Sequence, residues 1–349
     1  MNASLPCSLL AEPAHHGGPD ARGPARWDFS TNSNACGPCP YALAAVQQAD
    51  ASRYPDPRYT ALRTALAQFH GVSPERIVLA ASASEFIGRI TLLAVRHGAK
   101  AVSLPCHSYG DYAQAAQAWG LPLYRRPHAA PADLHWLCEP SSPLGLPEPA
   151  LVQPTSAAYH RWQVLDCAYR PLQLEGQPST IPAHVWQLWT PNKALGLTGV
   201  RAAYAIAPLH PHAAEDVAQL LALAPSWPVG AHGVALLQAW LEASSQTWLA
   251  HSLHTLRQWK QAQLVLCAQS GWSVQAGSLA NYLVAQPRTP DLAHLLAQLR
   301  QQDIQLRDCH SFGLPGWVRM GVLAPAAQQA LQTALRRIAP PNRCRGNCD

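Results

Sequence analysis

The chain has 349 residues, with 25 Lys and Arg against 20 Asp and Glu for a net charge of +5. That length suffices for one large and one smaller domain, and the dispersed basic residues argue against nucleic acid or a membrane surface as partner. No apolar stretch approaches the roughly 20 residues that a bilayer crossing needs, and Met1 to His16 has no basic run ahead of an apolar core. A cytoplasmic, soluble protein is the resulting expectation.

Residues 1–40 are rich in Pro, Gly and Asn and are expected to form an extended arm. Helical spacing of apolar residues then predicts a helix over Tyr59–Phe69, a strand over Ile77–Ala81 and a helix over Phe86–Val95. A strand at Ala101–Leu104, a helix at Tyr112–Trp119 and a strand at Leu134–Cys138 follow, with further strands at 162–166, 185–189 and 202–206. Helices are expected at Ala213–Leu223, Gly233–Ala250 and Leu253–Ser270, and residues 271–338 read as strand, helix, strand, helix. Alternating strands and helices imply an α/β fold with a largely parallel sheet covered on both faces. The expected division is an arm (1–40) associated with the smaller domain, a large domain (41–230), a smaller α+β domain (231–338) and a cysteine-containing tail (339–349).

Ten cysteines are present, several inside apolar elements (Cys138, Cys167, Cys267), and buried free thiols are the expectation. Cys36-Gly-Pro-Cys39 and the pair Cys344 and Cys348 are two distant half-motifs, which do not make the four-ligand geometry of a zinc site. The first sits in a loop, unlike a thioredoxin-type redox motif at a helix start. No metal is expected.

Ligands in open α/β sheets bind outside the carboxyl ends of the strands. Five strand ends carry suitable side chains: Ser82 to Glu85, Pro105 to Tyr109, Pro140 to Gly145, Asp166 to Tyr169 and Thr190 to Lys193. The segment Trp189-Thr190-Pro191-Asn192-Lys193-Ala194-Leu195-Gly196-Leu197-Thr198-Gly199-Val200-Arg201 suits a phosphorylated aldehyde. Its hydroxyls and arginine could hold the phosphate while the lysine amine forms a Schiff base. Asp166, ending the apolar run from Val164, could pair with a pyridinium nitrogen.

Asp166-x-x-Tyr169, followed 24 residues later by Lys193-x(7)-Arg201, resembles the fold-type I pyridoxal phosphate enzymes of the class I/II aminotransferase superfamily. The resemblance implies a mostly parallel sheet sandwiched by helices, a smaller α+β C-terminal domain, and pyridoxal 5′-phosphate as cofactor. It casts Lys193, Asp166 and Tyr169 as catalytic. Thr190 and Asn192 flank the lysine, and Arg201 binds the phosphate. Ser82, Ala83 and Ser84 open a helix whose amides would grip that phosphate, against the alternative of an ordinary N-cap by Ser82 or Ser84. Tyr109 aligns with the aromatic that stacks on the ring, against the alternative of a core tyrosine. Ser142, in Pro140-Ser141-Ser142-Pro143-Leu144-Gly145, stands where the family has an asparagine donating to the cofactor's phenolic oxygen. Cys167 replaces a usual glutamate, and the span from Gly145 to Asp166 is shorter than is usual.

Arg53-Tyr54-Pro55-Asp56 is similar to a segment of the histidinol-phosphate aminotransferase branch, whose tyrosine reaches the neighbouring subunit's cofactor; Tyr54 therefore implies a homodimer. Trp317-Val318-Arg319-Met320-Gly321 matches the strand with the substrate-carboxylate arginine, and Arg307 is a second anion-binding candidate unless it forms a surface salt bridge. His15-His16-Gly17-Gly18 and Trp27-Asp28-Phe29-Ser30-Thr31-Asn32-Ser33-Asn34 resemble the threonine-phosphate decarboxylases of cobalamin biosynthesis. That resemblance implies decarboxylation of L-threonine O-3-phosphate to (R)-1-amino-2-propanol O-2-phosphate, with His16, Asn32 and Arg307 at the substrate phosphate and Arg319 at its carboxylate. The alternatives are an aminotransferase acting on histidinol phosphate or a related amine, and a catalytically weak paralogue.

Overall fold

Ile77 to Ala80 is apolar at every position, and the fold buries both faces of it. Ile77 and Leu79 enter one core with Tyr204, Ile206, Leu236 and Leu237. Val78 and Ala80 enter another with Phe86, Ile90, Val164 and Trp186. A strand with alternating side chains and no polar face belongs inside a sheet covered on both sides. A computed structural model describes residues 17–127, 131–152 and 162–338. His16, Cys7, Cys344, Cys348 and the 339–349 tail lie outside the described residues.

The arm contains β1 (Trp27–Asp28), and α1 (Pro40–Gln47) and α2 (Thr60–His70) follow it. Next come β2 (Ile77–Ala80), α3 (Ala83–Arg96), β3 (Val102–Leu104), α4 (Gly110–Ala118), β4 (Leu123–Arg125) and β5 (Leu134–Cys138). α5 (Pro149–Val152), β6 (Trp162–Asp166), β7 (Trp186–Trp189) and β8 (Ala203–Ile206) complete the large sheet and its connections. Three helices, α6 (Ala213–Ala222), α7 (Ala231–Leu241) and α8 (Ala243–Gln269), lead into the last part. That part holds β9 (Ser273–Val274), β10 (Tyr282–Gln286), α9 (Leu292–Gln301), β11 (Ile304–Gln305), β12 (Arg307–Asp308), β13 (Val318–Gly321) and α10 (Pro325–Ile338).

The large sheet has the order β2-β8-β7-β6-β5-β3-β4, with β8 antiparallel to both neighbours and the other adjacent pairs parallel. The carboxyl ends of the parallel strands therefore share one edge. The reversed strand β8 presents its start there, which brings Arg201 to the same edge as Asp166. The second sheet, β12-β13-β10-β9, is antiparallel, and it sets Arg307 directly opposite Arg319. Together these features make the fold-type I architecture.

One expected boundary moves. The helices predicted at Gly233–Ala250 and Leu253–Ser270 are instead α7 and α8, divided at Glu242, whose backbone is extended (φ −69°, ψ 137°). The side-chain amide of Gln246 donates to the Trp240 carbonyl, meeting an acceptor that the helix end leaves open. Apolar periodicity carries no sign of such a break.

The arm joins the two sheets. β1 pairs in parallel with β11, and the Gly321 amide donates to the Phe29 carbonyl at 2.7 Å. Farther on, Asn34 N–H donates to the Lys193 carbonyl at 2.9 Å and Cys39 N–H to the Leu195 carbonyl at 2.8 Å. Gly196 makes this docking possible. Its φ is +69°, and a Cβ there would lie 2.5 Å from the Gly37 carbonyl oxygen. Gly196→Ala should therefore cost about 1–3 kcal/mol of stability, since strain and clash act together. Urea unfolding of the apoprotein checks this.

Candidate active site

A cavity of about 750 Å³ opens where the strand ends of the large sheet meet the arm and the second sheet. It brings together Ser82, Ala83, Ser84, Tyr109, Ser142, Asp166, Tyr169, Thr190, Asn192, Lys193 and Arg201 with Asn32, Arg307 and Arg319. Tyr54 is not among them: it is 77% exposed and stacks on Trp227 with centroids 4.3 Å apart. His16 lies outside the described residues, and its neighbour Gly17 lines the wall.

Asp166 ends β6 and is buried. Its Oδ2 accepts from the Tyr112 hydroxyl at 2.6 Å and its Oδ1 from the Ala168 amide at 2.8 Å. Burial pushes its carboxyl above the ordinary value, opposed by those two donors and by Lys193. Lys193 Nζ lies 5.5 Å from the centre of the Tyr169 ring, and the Tyr169 hydroxyl accepts from Asn32 Nδ2 at 3.5 Å.

Ser82 is the N-cap of α3: its Oγ accepts from the Glu85 amide at 3.1 Å. The cap uses the Ser82 side chain, and the first-turn residues Ala83 and Ser84 line the cavity beside it. Ser84 Oγ lies 3.3 Å from the Tyr109 hydroxyl, and burial pushes the Tyr109 phenol up.

Arg307 and Arg319 are 3% and 7% exposed, so the surface salt-bridge reading of Arg307 does not hold. Burial, and then the neighbouring Arg319, push Arg307 down to about 10, which leaves it cationic near neutral pH. Its Nη2 donates to Ser311 Oγ at 2.7 Å. Arg319 donates to Ser142 Oγ at 3.3 Å and to the Ser30 carbonyl at 3.1 Å. Ser142 Oγ thus accepts from an arginine, where the resemblance assigned it as a donor to the cofactor. A hydroxyl that accepts there can still donate its own O–H.

Residues not anticipated include Tyr112, Ser30 and Ser311. Tyr112 follows Tyr109 by three positions at the start of α4, where apolar spacing marks it only as a helix residue. Ser30 and Ser311 serve through a carbonyl and a short hydroxyl, for which sequence carries little signal.

The family model for aminotransferase class I and II matches residues 27–338. The chain belongs to that family. A curated relative, the histidinol-phosphate aminotransferase of Thermobifida fusca, is 29% identical over 337 residues, covering 88% of each chain. The structure of histidinol-phosphate aminotransferase from Sinorhizobium meliloti in complex with pyridoxal-5′-phosphate matches with a TM-score of 0.74 at 23% identity, covering 88% of this chain and 90% of that one. L-threonine-O-3-phosphate decarboxylase from Porphyromonas gingivalis matches with a TM-score of 0.75 at 20% identity, covering 89% and 98%. Those structural likenesses are likenesses of fold.

Membership in this aminotransferase family makes pyridoxal 5′-phosphate the cofactor. The cavity fits it chemically. Thr190 Oγ1, Asn192 Oδ1, Asn32 Oδ1 and Arg319 Nε are buried without a hydrogen-bond partner among the described residues, and all four belong to residues of the cavity wall. Buried polar atoms left unmet call for a polar ligand. Among the described residues, no cluster of His, Cys, Asp and Glu could hold a metal, and no helix is long and apolar enough to cross a membrane.

Two outcomes follow. Lys193→Ala should abolish the visible absorbance that the cofactor-loaded protein carries, checked by spectrophotometry after dialysis. The second concerns pH. A carboxyl whose folded pKa lies above its unfolded one binds its proton more tightly in the fold. Its contribution to stability therefore falls as pH rises from the ordinary carboxylate value through the raised one. In the apoprotein, Asp166→Asn should remove that fall, flattening the unfolding free energy relative to wild type as pH rises above the ordinary carboxylate value of about 4.

Proposed function

We propose that this chain is an aminotransferase acting on a small phosphorylated amino compound of the histidinol phosphate class. The observation that carries this reading is the pair Arg307 and Arg319, buried side by side in the cavity that also holds Lys193 and Asp166. An aminotransferase must take a donor and then an acceptor in one site. Guanidinium forks bind phosphate and carboxylate alike, so one arginine pair serves both. The curated relative from Thermobifida fusca carries the same activity in its name.

When bound, the cofactor supplies an electron sink for charge developing at the substrate's α-carbon. The protein's part is positional. Asp166 would hold the ring nitrogen and keep its proton there, while Tyr109 would cover the ring. Ser82, Ala83, Ser84 and Arg201 would grip the phosphate, with Thr190 and Asn192 beside them. The Tyr169 hydroxyl, which accepts from Asn32, would face the phenolic oxygen. Lys193 Nζ would carry the proton that leaves the α-carbon. Tyr54, exposed beside Trp227, would serve the cofactor phosphate of a second copy in a homodimer, and a cytoplasmic location suits such an enzyme.

A second reading has its own support. Gly17, Ser30, Thr31 and Asn32 of the arm line the cavity, and the Ser30 carbonyl accepts from Arg319. This is the segment that resembles threonine-phosphate decarboxylases. A substrate with phosphate and carboxylate on one small skeleton, such as L-threonine O-3-phosphate, would engage both arginines at once. Arg319 would then hold the carboxylate that is lost as carbon dioxide, and the cofactor would supply the same electron sink.

The test supplies cofactor-loaded protein with histidinol phosphate and 2-oxoglutarate, or with L-threonine O-3-phosphate alone. Glutamate formed only in the first mixture is the expected result. Carbon dioxide released in the second, without any keto acid, overturns amino transfer in favour of decarboxylation. Neither product from a protein that retains cofactor absorbance removes both readings and leaves a catalytically weak paralogue.

A further inference from the structure

Tyr112 contacts the buried carboxylate of Asp166 but carries none of the roles assigned above. Its side chain is fully buried. The ring lies flat on Trp136, with centroids 4.5 Å apart and planes at 6°, and meets Tyr109 edge-on at 5.7 Å. Its hydroxyl donates to Asp166 Oδ2 at 2.6 Å.

These contacts form a chain of support. Trp136 lies on β5, paired in register with Val164 on β6, the strand that ends in Asp166. The platform under Tyr112 and the backbone of Asp166 therefore belong to one rigid piece of sheet. The Ala168 amide takes the other carboxylate oxygen, so the acid is held from its own turn on one side and from α4 on the other. Tyr109 and Tyr112 lie one helical turn apart at the start of α4. One short segment would thus position both the ring-covering side chain and the acid beneath.

We propose that Tyr112 is a positioning residue for the cofactor, acting through Asp166 by fixing the carboxylate that takes the ring nitrogen. The inference rests on the cofactor site, not on the choice between amino transfer and decarboxylation. A neutral donor bonded to a buried carboxylate favours its charged form, and deleting that donor leaves a buried acceptor unmet. A tyrosine that merely filled space would lose little when its oxygen is removed, since the ring and its stack on Trp136 remain.

The experiment compares Tyr112→Phe with wild type in pyridoxal 5′-phosphate affinity, measured by titrating apoprotein of verified fold. Loss of a hydrogen bond to a charged group should weaken binding about tenfold or more. The pH midpoint of the bound cofactor's visible absorbance should also move. The same change made in an Asp166→Asn background should have an effect of no more than about twofold, because the acid through which Tyr112 acts is gone. An unchanged affinity in Tyr112→Phe, or an equal loss in both backgrounds, overturns the proposal. Should Tyr112→Phe not fold, Trp136→Phe carries the test: it keeps the hydroxyl but loosens its platform, so weaker cofactor binding is expected and wild-type affinity refutes the idea. Failure of the activity assay in the preceding subsection would leave all of these binding results readable.

Discussion

A carboxylate shut away from water governs this site. Burying an ionised acid without partners costs several kcal/mol, and proteins normally respond by neutralising it or pairing it. Asp166 receives a hydroxyl from α4 and an amide from its own turn, and a lysine follows the next strand. The central strands β5, β6 and β7 are adjacent and parallel, so Trp136 under Tyr112, Asp166 itself and the approach to Lys193 are set by one sheet. Even so, burial outweighs these partners and keeps the carboxyl above its ordinary value. A positively charged ring nitrogen would supply the missing compensation.

The opposite pole has the opposite sign. Arg307 and Arg319 are register partners on adjacent antiparallel strands, an arrangement in which like charges destabilise a sheet. The Phe312 ring lies beneath both guanidinium groups, at 5.0 and 5.5 Å, and Tyr282 lies under Arg319 at 5.7 Å. The ring faces offer partial negative charge, and Ser311, Ser142 and the Ser30 carbonyl accept hydrogen bonds. These contacts are neutral, and an anionic substrate would add a charged partner for both cations. The cavity is therefore polarised, acid at one end and paired arginines at another. That polarity suits a zwitterionic, phosphorylated amine.

Much of this was legible in the sequence because it is local. Asp166 and Tyr169 share one turn, Lys193 and Arg201 bracket one loop, and each strand end announces itself by an apolar run giving way to polar residues. The capping serine of α3 was equally readable, since its partner Glu85 is three residues away. What stayed hidden depends on distance along the chain. Tyr112 meets Asp166 across 54 positions, and Asn34 meets Ala194 across 160; no periodicity encodes either. The division of α7 from α8 was hidden for another reason. Apolar spacing continues through Glu242, and a single glutamine amide is what makes the interruption tolerable.

The departure at Ser142 bears directly on Arg319. An asparagine there could extend an amide toward the cofactor, whereas serine reaches only as far as Arg319. The loop's base is rigid: Glu139 accepts from Arg170 at 3.2 Å, from Ser179 N–H and Oγ–H at 2.9 Å each, and from the Glu148 amide at 3.1 Å. Tyr282 adds a bond to the Ser141 carbonyl at 2.8 Å. Arg319 is consequently held between this braced loop and the Ser30 carbonyl of the arm. Its direction is a joint property of two segments that take no part in gripping the cofactor phosphate. Two chemistries can then share Asp166, Lys193 and Arg201 unchanged. They would part company at Ser142 and Ser30, which hold the guanidinium of Arg319.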